Sequence, residues 1–189
     1  DDTTTVVLDA GERFEAPASA GVFSPRGPEG VSAAWHEYQR LELARDLGVA
    51  RPTVVYNSWF SPEFDVRIDH QLALARRACD LGVEAFVLDD GWFRGRTSDH
   101  AGLGDWQPDP TKFPNGLAEL ADGVTALGMD FGLWIEPEMV NPDSDLYRAH
   151  PDWVYRAGDR PLLTNRLQYV LDLGRPEVEA WAAETLRTL

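Results

Sequence analysis

The chain has one cysteine and two methionines among its 189 residues. A single thiol, Cys79, rules out an internal disulfide framework and a cysteine-rich zinc site. It falls in the apolar-periodic stretch Leu72–Leu81, the setting of a packed helical thiol and not of a nucleophile. Positive charge is also scarce, with 17 Lys and Arg against 32 Asp and Glu and a formal net charge of −15. Nucleic acids and anionic membranes are bound through basic patches, so this balance argues against both and suits a neutral ligand. Every basic side chain except Lys112 is an arginine, which reads as compositional bias with little functional content. No apolar run reaches the ~18 residues of a membrane span. The opening DDTTTVV has neither the basic nor the apolar region of a signal peptide, so a cytoplasmic location is expected. The four histidines, His36, His70, His100 and His150, lack metal-ligand spacing. No phosphate loop, GxSxG elbow or CxxC pair occurs, and neither a metal nor a cofactor is expected.

What is present is a globular composition, 43% hydrophobic and 26% charged, enough for a buried core. Up to residue 30 the chain reads as β and loop. Thr3–Leu8 is β-branched, and Gly11, Pro17, Gly21, Pro25, Gly27 and Pro28 punctuate the stretch after it. Trp35, Tyr38, Leu41 or Glu42, and Arg45 then recur at helical spacing, predicting a helix over Ser32–Leu47 that stops at Gly48. Residues 1–30 are thus expected to end one β-rich domain, residues 31–50 to connect, and residues 51–189 to open a second domain.

From Pro52 strands and helices alternate. Strands are predicted at Thr53–Trp59, Val83–Leu88 and Met129–Ile135, with an extended stretch at Tyr169–Leu173. Helices are predicted at Asp65–Leu81, from Asn115 or Gly116 to Leu127, at Asp143–His150 and at Pro176–Leu189. Strands this continuously apolar belong to a parallel sheet covered on both faces, an α/β fold. Polar and aromatic residues gather just after each strand, as NSWF, DDGWF and WIEPEMV. A (β/α)8 TIM barrel places its active site at those strand ends. A doubly wound nucleotide fold would need a glycine-rich first turn instead, and Asn57-Ser58-Trp59-Phe60 is the wrong chemistry for one. A whole barrel takes ~250 residues. With about three of its strands here, a partial barrel and a longer natural protein are the expectation.

Asp89-Asp90-Gly91-Trp92 is the sharpest local feature. Adjacent side chains on a strand face opposite ways, so two neighbouring aspartates converge on one ligand only where the strand breaks, and Gly91 supplies the break. Together they could accept hydrogen bonds from several hydroxyls of one sugar, although a turn-capping role is the bland alternative. They are poorly placed as the acid and nucleophile of a glycosidase, which must approach the scissile bond from opposite sides. Trp59, Trp92 and Trp134 fall at or just after successive strand ends, where indole faces suit the C–H surface of a pyranose, or else simply fill the core. Glu136 and Glu138 flank Pro137 and read equally as ligand contacts or as loop ion pairs. Arg166 reads by default as a surface arginine.

At these residues the chain resembles the α-galactosidases of glycoside hydrolase family 36. The matching strings are YNSWF (56–60), VLDDGWF (87–93), DWQPDPTKFPNGL (105–117), GLWIEPEMVNPDSDLYRAHPDW (132–153) and YVLDLGRPEV (169–178). They are ordered and cover most of residues 50–180. Residues 1–30 resemble the last strands of that family's N-terminal β-sandwich, more weakly. The resemblance implies a (β/α)8 catalytic domain, a retaining mechanism without metal, and terminal α-galactosides of the raffinose and melibiose kind as substrates. It also implies that Trp59, Asp89, Asp90, Trp134 and Arg166 line the galactose subsite, with the two aspartates on the 4- and 6-hydroxyls. The family's nucleophile belongs to a KWD string that does not occur here, so no catalytic residue is assigned and the chain alone is expected not to hydrolyse a galactoside. A small-molecule galactoside is the expected partner, and homo-oligomerisation of the full-length protein is an open expectation.

Two other classes fit the bare pattern. Asp90 and Glu136 at successive strand ends could hold Mg²⁺ in a barrel lyase or isomerase. The same aromatic and acidic cluster would also serve a non-catalytic sugar-binding protein.

Overall fold

A computed structural model describes residues 6–44, 52–162 and 164–189. The chain divides between Pro52 and Thr53 into two compact units.

In the first unit, residues 6–24 form neither helix nor strand and include a turn, where the Glu12 N–H donates to the Asp9 carbonyl at 3.0 Å. The strand expected over Thr3–Leu8 lies partly outside the described residues. Val6, Val7 and Leu8 are exposed, and the described residues of this unit form no strand. Helix α1 spans Gly27–Tyr38 and so starts five residues before the expected Ser32. Gly27-Pro28, which reads as a breaker, is instead a start. Proline in the first turn gives up an N–H that would have no partner there, and its fixed φ already suits a helix. After Tyr38 the helix widens over Gln39–Leu43, and the Ala44 N–H reaches back five residues to the Gln39 carbonyl at 2.8 Å. Residues 45–47 of the expected helix lie outside the described residues.

The second unit holds the predicted alternation. β1 (Val55–Asn57), α2 (Ile68–Asp80), β2 (Ala85–Leu88), α3 (Ala118–Ala126) and β3 (Asp130–Leu133) succeed one another along the chain. The strands form a parallel sheet with β2 in the middle, Phe86 lying opposite Tyr56 on one side and Phe131 on the other. The Tyr56 and Phe86 rings stack with centroids 5.2 Å apart. Alternation on β2 buries Phe86 and Leu88, which share one apolar core with Leu120 and Val124 of α3. On α2 the positions Gln71, Ala75 and Ala78 recur at i, i+4 and i+7 and form the buried face. That helix ends where Gly82 takes φ +84° and its N–H donates to the Cys79 carbonyl at 2.9 Å. The Cys79 thiol donates to the Leu127 carbonyl at 3.4 Å, a helix-packing thiol as expected.

Beyond β3 comes a feature that periodicity does not announce. β4 (Met139–Val140) pairs antiparallel with β5 (Tyr169–Val170), Val140 lying opposite Tyr169. β5 falls within the extended stretch expected at Tyr169–Leu173, whereas the two-residue β4 falls in EPEMV, which looks like plain loop. α4 (Asp145–Ala149) comes after β4, and α5 (Pro176–Thr188) after β5. Val140, Val154, Leu171 and Val178 form a second small core beneath this pair.

Candidate functional site

Parallel strands end on one edge, so the sequences after β1, β2 and β3 are brought together there. Single backbone bonds prolong the ladder past each strand: Ser58 N–H donates to the Val87 carbonyl at 3.0 Å, and Trp134 N–H to the Leu88 carbonyl at 2.8 Å. These bonds fix the starting direction of each strand-end loop.

At the end of β2 the two carboxylates are aimed by their own neighbourhood. Asp89 is half-buried, and Asn57 at the end of β1 donates its amide Nδ2 to Asp89 Oδ2. The oxygen of the same amide accepts the Trp59 N–H at 2.9 Å, so Asn57 ties Trp59 to Asp89. The Asp89 N–H donates to Ser58 Oγ at 3.0 Å. The backbone then turns back on the side chains. Asp90 N–H donates to Asp89 Oδ1 at 2.8 Å, and Gly91 N–H to Asp90 Oδ1 at 2.6 Å. Gly91 takes φ +91°, and a Cβ there would stand 3.1 Å from Phe64 Cα and 3.2 Å from the Glu63 carbonyl oxygen, so the strand break needs glycine.

Asp90 is not an open carboxylate. Its side chain is 8% exposed and faces Arg96, which is 1% exposed. Arg96 Nε donates to Asp90 Oδ1 at 2.8 Å and Nη2 to Oδ2 at 2.7 Å, a two-pronged buried ion pair. Arg96 Nη1 donates to the Ala101 carbonyl and to Asn141 Oδ1, both at 3.0 Å. Its guanidinium carbon also lies 5.5 Å from the Phe64 ring centroid and 5.6 Å from that of Phe93. Arg96 has no place in the expected site, because arginine in a loop reads as surface by default. The one hint is its setting, a glycine-punctuated loop just after a pair of acids. A carboxylate already holding a buried arginine through both oxygens is also a poor ligand for the Mg²⁺ reading of Asp90 and Glu136. Among the described residues no three His, Cys, Asp or Glu side chains are grouped to hold a metal.

The tryptophans divide. Trp59 and Trp134 are half-buried at the ends of β1 and β3. Trp59 meets Phe64 edge-on with centroids 5.2 Å apart, and Trp134 rests against Phe93 and Trp106 at 6.5 and 6.0 Å. Trp92, a candidate sugar platform by position, is fully buried and donates Nε1 to the Trp134 carbonyl at 2.9 Å. Gly91 reverses the chain before it, which turns Trp92 inward as a support for Trp134. Trp106, absent from the expected site, is 6% exposed and completes that support.

Glu136 is half-buried beyond β3, and its carboxyl is pushed above the usual range. Burial is the main cause, the charges of Glu138 and Asp90 add to it, and Arg96 and Arg166 oppose it. Glu138 is exposed. Arg166 has an exposed side chain whose Nε lies 3.6 Å from Asp99 Oδ2. Arg166 and Leu167 both take left-handed backbone, φ +55° and +52°, rare for side-chain-bearing residues. The turn is held from behind: buried Asn141 donates Nδ2 to the Leu167 carbonyl at 3.0 Å.

The sequence model of one family, Melibiase, matches residues 13–189. The chain belongs to the Melibiase family. Among curated relatives it is 44% identical over 183 residues to α-galactosidase AgaA of Geobacillus stearothermophilus, covering 96% of this chain and 25% of that one. It is 44% identical over 170 residues to an Escherichia coli α-galactosidase, covering 90% and 24%. Among solved structures, GH36 α-galactosidase AgaA in complex with 1-deoxygalactonojirimycin superposes with TM-score 0.76 at 42% identity, over 88% of this chain and 23% of that one. A further AgaA structure, solved with raffinose, gives TM-score 0.74 at 42% identity over 84% and 22%. The chain spans about a quarter of the length of these Melibiase-family relatives.

Proposed function

We propose that this chain carries the sugar-holding part of an α-galactosidase acting on terminal α-galactosides. The observation that carries the reading is the Asp89–Asp90 acceptor pair at the end of β2, between half-buried Trp59 and Trp134 at the ends of β1 and β3. Relatives named α-galactosidases, one of them solved with raffinose, support it. In the same reading the β1–α2–β2–α3–β3 sheet is a sector of a (β/α)8 barrel, residues 51–189 are its opening part, residues 31–50 connect, and residues 1–30 close a β-sandwich.

The chemistry comes from what each carboxylate has left to offer. A carboxylate presents about four acceptor directions. Asp89 uses one on the Asp90 N–H and one on Asn57, so each of its oxygens keeps a free direction. Asp90 uses both directions of Oδ1, on Gly91 N–H and Arg96 Nε, and one of Oδ2 on Arg96 Nη2. Asp89 is therefore the main hydroxyl acceptor, with Asp90 contributing a single aimed direction. Trp59 and Trp134 give the flanking apolar faces, and Arg166 closes the rim. Glycosidic cleavage needs two carboxyls on opposite sides of the scissile bond. The aspartates share one turn, so their part is to hold and orient the sugar, while a retaining carboxylate pair is assigned to no residue of this chain.

The test is Asp89→Asn in the complete natural protein, with hydrolysis of p-nitrophenyl α-galactoside and binding of galactose as readouts. Losing a charged hydrogen-bond acceptor lowers kcat/KM and galactose affinity by about 10- to 100-fold. Wild-type kinetics and affinity in the variant would overturn the assignment.

A further inference from the structure

We propose that Arg96, braced by Asn141, is a positioning residue of the sugar site: it selects which direction Asp90 offers to a hydroxyl and couples that direction to the turn carrying Arg166. The inference rests on the function proposed above and concerns residues that touch no sugar themselves.

Three observations carry it. First, Arg96 grips Asp90 through both oxygens while both side chains are nine-tenths or more buried, so the carboxylate cannot rotate to present another lone pair. A guanidinium fork defines such a plane, whereas a point charge would leave it free. Second, the fork is itself held in place. Nη1 is bound by the Ala101 carbonyl and by Asn141 Oδ1, and the Arg96 carbonyl accepts Lys112 Nζ at 2.9 Å. Third, Asn141 is fully buried and is shared between two loops. Its oxygen takes Arg96 Nη1 and the Leu103 N–H, both at 3.0 Å, and its amide nitrogen donates to the Leu167 carbonyl at 3.0 Å, with the Arg166 and Asp99 carbonyls, each at 3.4 Å, sharing its second hydrogen. Arg166 and Leu167 need such a partner, since left-handed backbone in two consecutive side-chain-bearing residues is costly without one. One hydrogen-bonded chain, buried from Asp90 through Arg96 to Asn141, thus runs from the middle strand end to the exposed turn 166–167. Tidy packing alone does not require a charged fork here. A buried ion pair is no better for stability than well-packed apolar groups, so its presence fits a geometric task.

The experiment is steady-state kinetics on p-nitrophenyl α-galactoside with the complete natural protein, comparing Arg96→Lys, Arg96→Met, Asp90→Asn and the Asp90→Asn/Arg96→Met double variant. If wild type neither binds nor hydrolyses the galactoside, the proposed function fails and the positioning role falls with it. With wild type active, Arg96→Met is expected to lose about 10- to 100-fold in kcat/KM, mainly through a raised KM. The double variant should fall no more than about 3-fold below Asp90→Asn alone, because Arg96 acts through Asp90. Losses that multiply, or wild-type kinetics in Arg96→Met, overturn the proposal. Should Arg96→Met fail to fold, Arg96→Lys decides. It keeps the charge and loses the fork, so a selectively raised KM with unchanged thermal stability supports the positioning role. Unchanged KM, or a stability loss with no KM change, refutes it.

Discussion

Lys112 offers the most direct check on how these loops are held. Its ammonium donates to three carbonyls from two separate loops, Phe64 at 3.0 Å in one, and Gly91 at 2.6 Å and Arg96 at 2.9 Å in the other. An ammonium has three N–H donors, and all are used. The perturbation is Lys112→Met, which keeps an apolar stem and removes the head. A hydrogen bond to a charged group contributes about 1.5–3 kcal/mol when its partner is fully desolvated. Lys112 is only half-buried, so water reaches part of the vacated space, and bonds sharing one donor group are not additive. The net loss is therefore set at about 2–4 kcal/mol, against a total of about 5–15 for a typical domain. The assay is hydrogen–deuterium exchange by mass spectrometry on the complete natural protein. Peptides spanning Phe64 and Gly91–Arg96 should exchange about 30- to 1,000-fold faster where local opening governs the rate.

Lys112→Arg should not rescue the loss, since a planar fork cannot direct three donors from one nitrogen. Titration adds a sign. Burial lowers the Lys112 pKa, opposed by the charges of Asp109, Asp90 and Asp65. Between that lowered value and the unfolded value of ~10.4 the unfolded chain holds more protons, so this group's contribution to stability rises with pH there. The methionine variant lacks that rise. Unchanged protection in Lys112→Met, or full protection in Lys112→Arg, would refute the three-carbonyl clamp.

Two further substitutions test neighbouring parts of the same assembly. Gly102 takes φ +80°, and a Cβ there would lie 2.8 Å from the Arg94 carbonyl oxygen and from the Arg96 nitrogen, so Gly102→Ala should destabilise by about 3 kcal/mol or more; a thermal midpoint equal to wild type counts against the loop geometry. Glu136→Gln should stabilise at neutral pH. The Glu136 carboxyl titrates higher in the fold, so between the unfolded value of ~4.3 and the raised one the folded state holds more protons and stability falls as pH climbs. Urea unfolding at pH 7 and at pH 3.5 should show the variant ahead in the first and level with wild type in the second, and the opposite order would be decisive against burial as the cause.

Much of the fold is legible from periodicity because periodicity records burial. The apolar run that becomes β2 and the apolar-periodic stretch that becomes α2 both reappear with buried residues, though β2 is buried at alternate positions where its sequence is continuously apolar. α1 starts earlier than expected for a local reason: Gly27-Pro28 is equally good as an end and as a beginning, and only its later partners decide. The extended stretch at Tyr169–Leu173 holds β5, but β4 and the pairing escape because β4 is two residues long and its partner lies about thirty residues further on.

At the site the acceptors are legible and their donors are not. Asp89 and Asp90 announce themselves because adjacent acids before a glycine are chemically odd within a strand. Arg96 and Asn141 do not, because a loop arginine and a loop asparagine are ordinary residues until burial makes them costly. Trp92, open in the sequence to either sugar platform or core, fills the core just after Gly91 breaks the strand. Lys112 reads in the sequence as the exception to an arginine-rich composition, yet among the described residues it meets three carbonyls from a single nitrogen. An arginine could not do that, so the choice of lysine is chemistry where composition suggests bias. The same reasoning separates Arg96 from Lys112: a plane must be fixed at Asp90, a point must be filled beneath Gly91, and each position carries the cation whose shape matches its task.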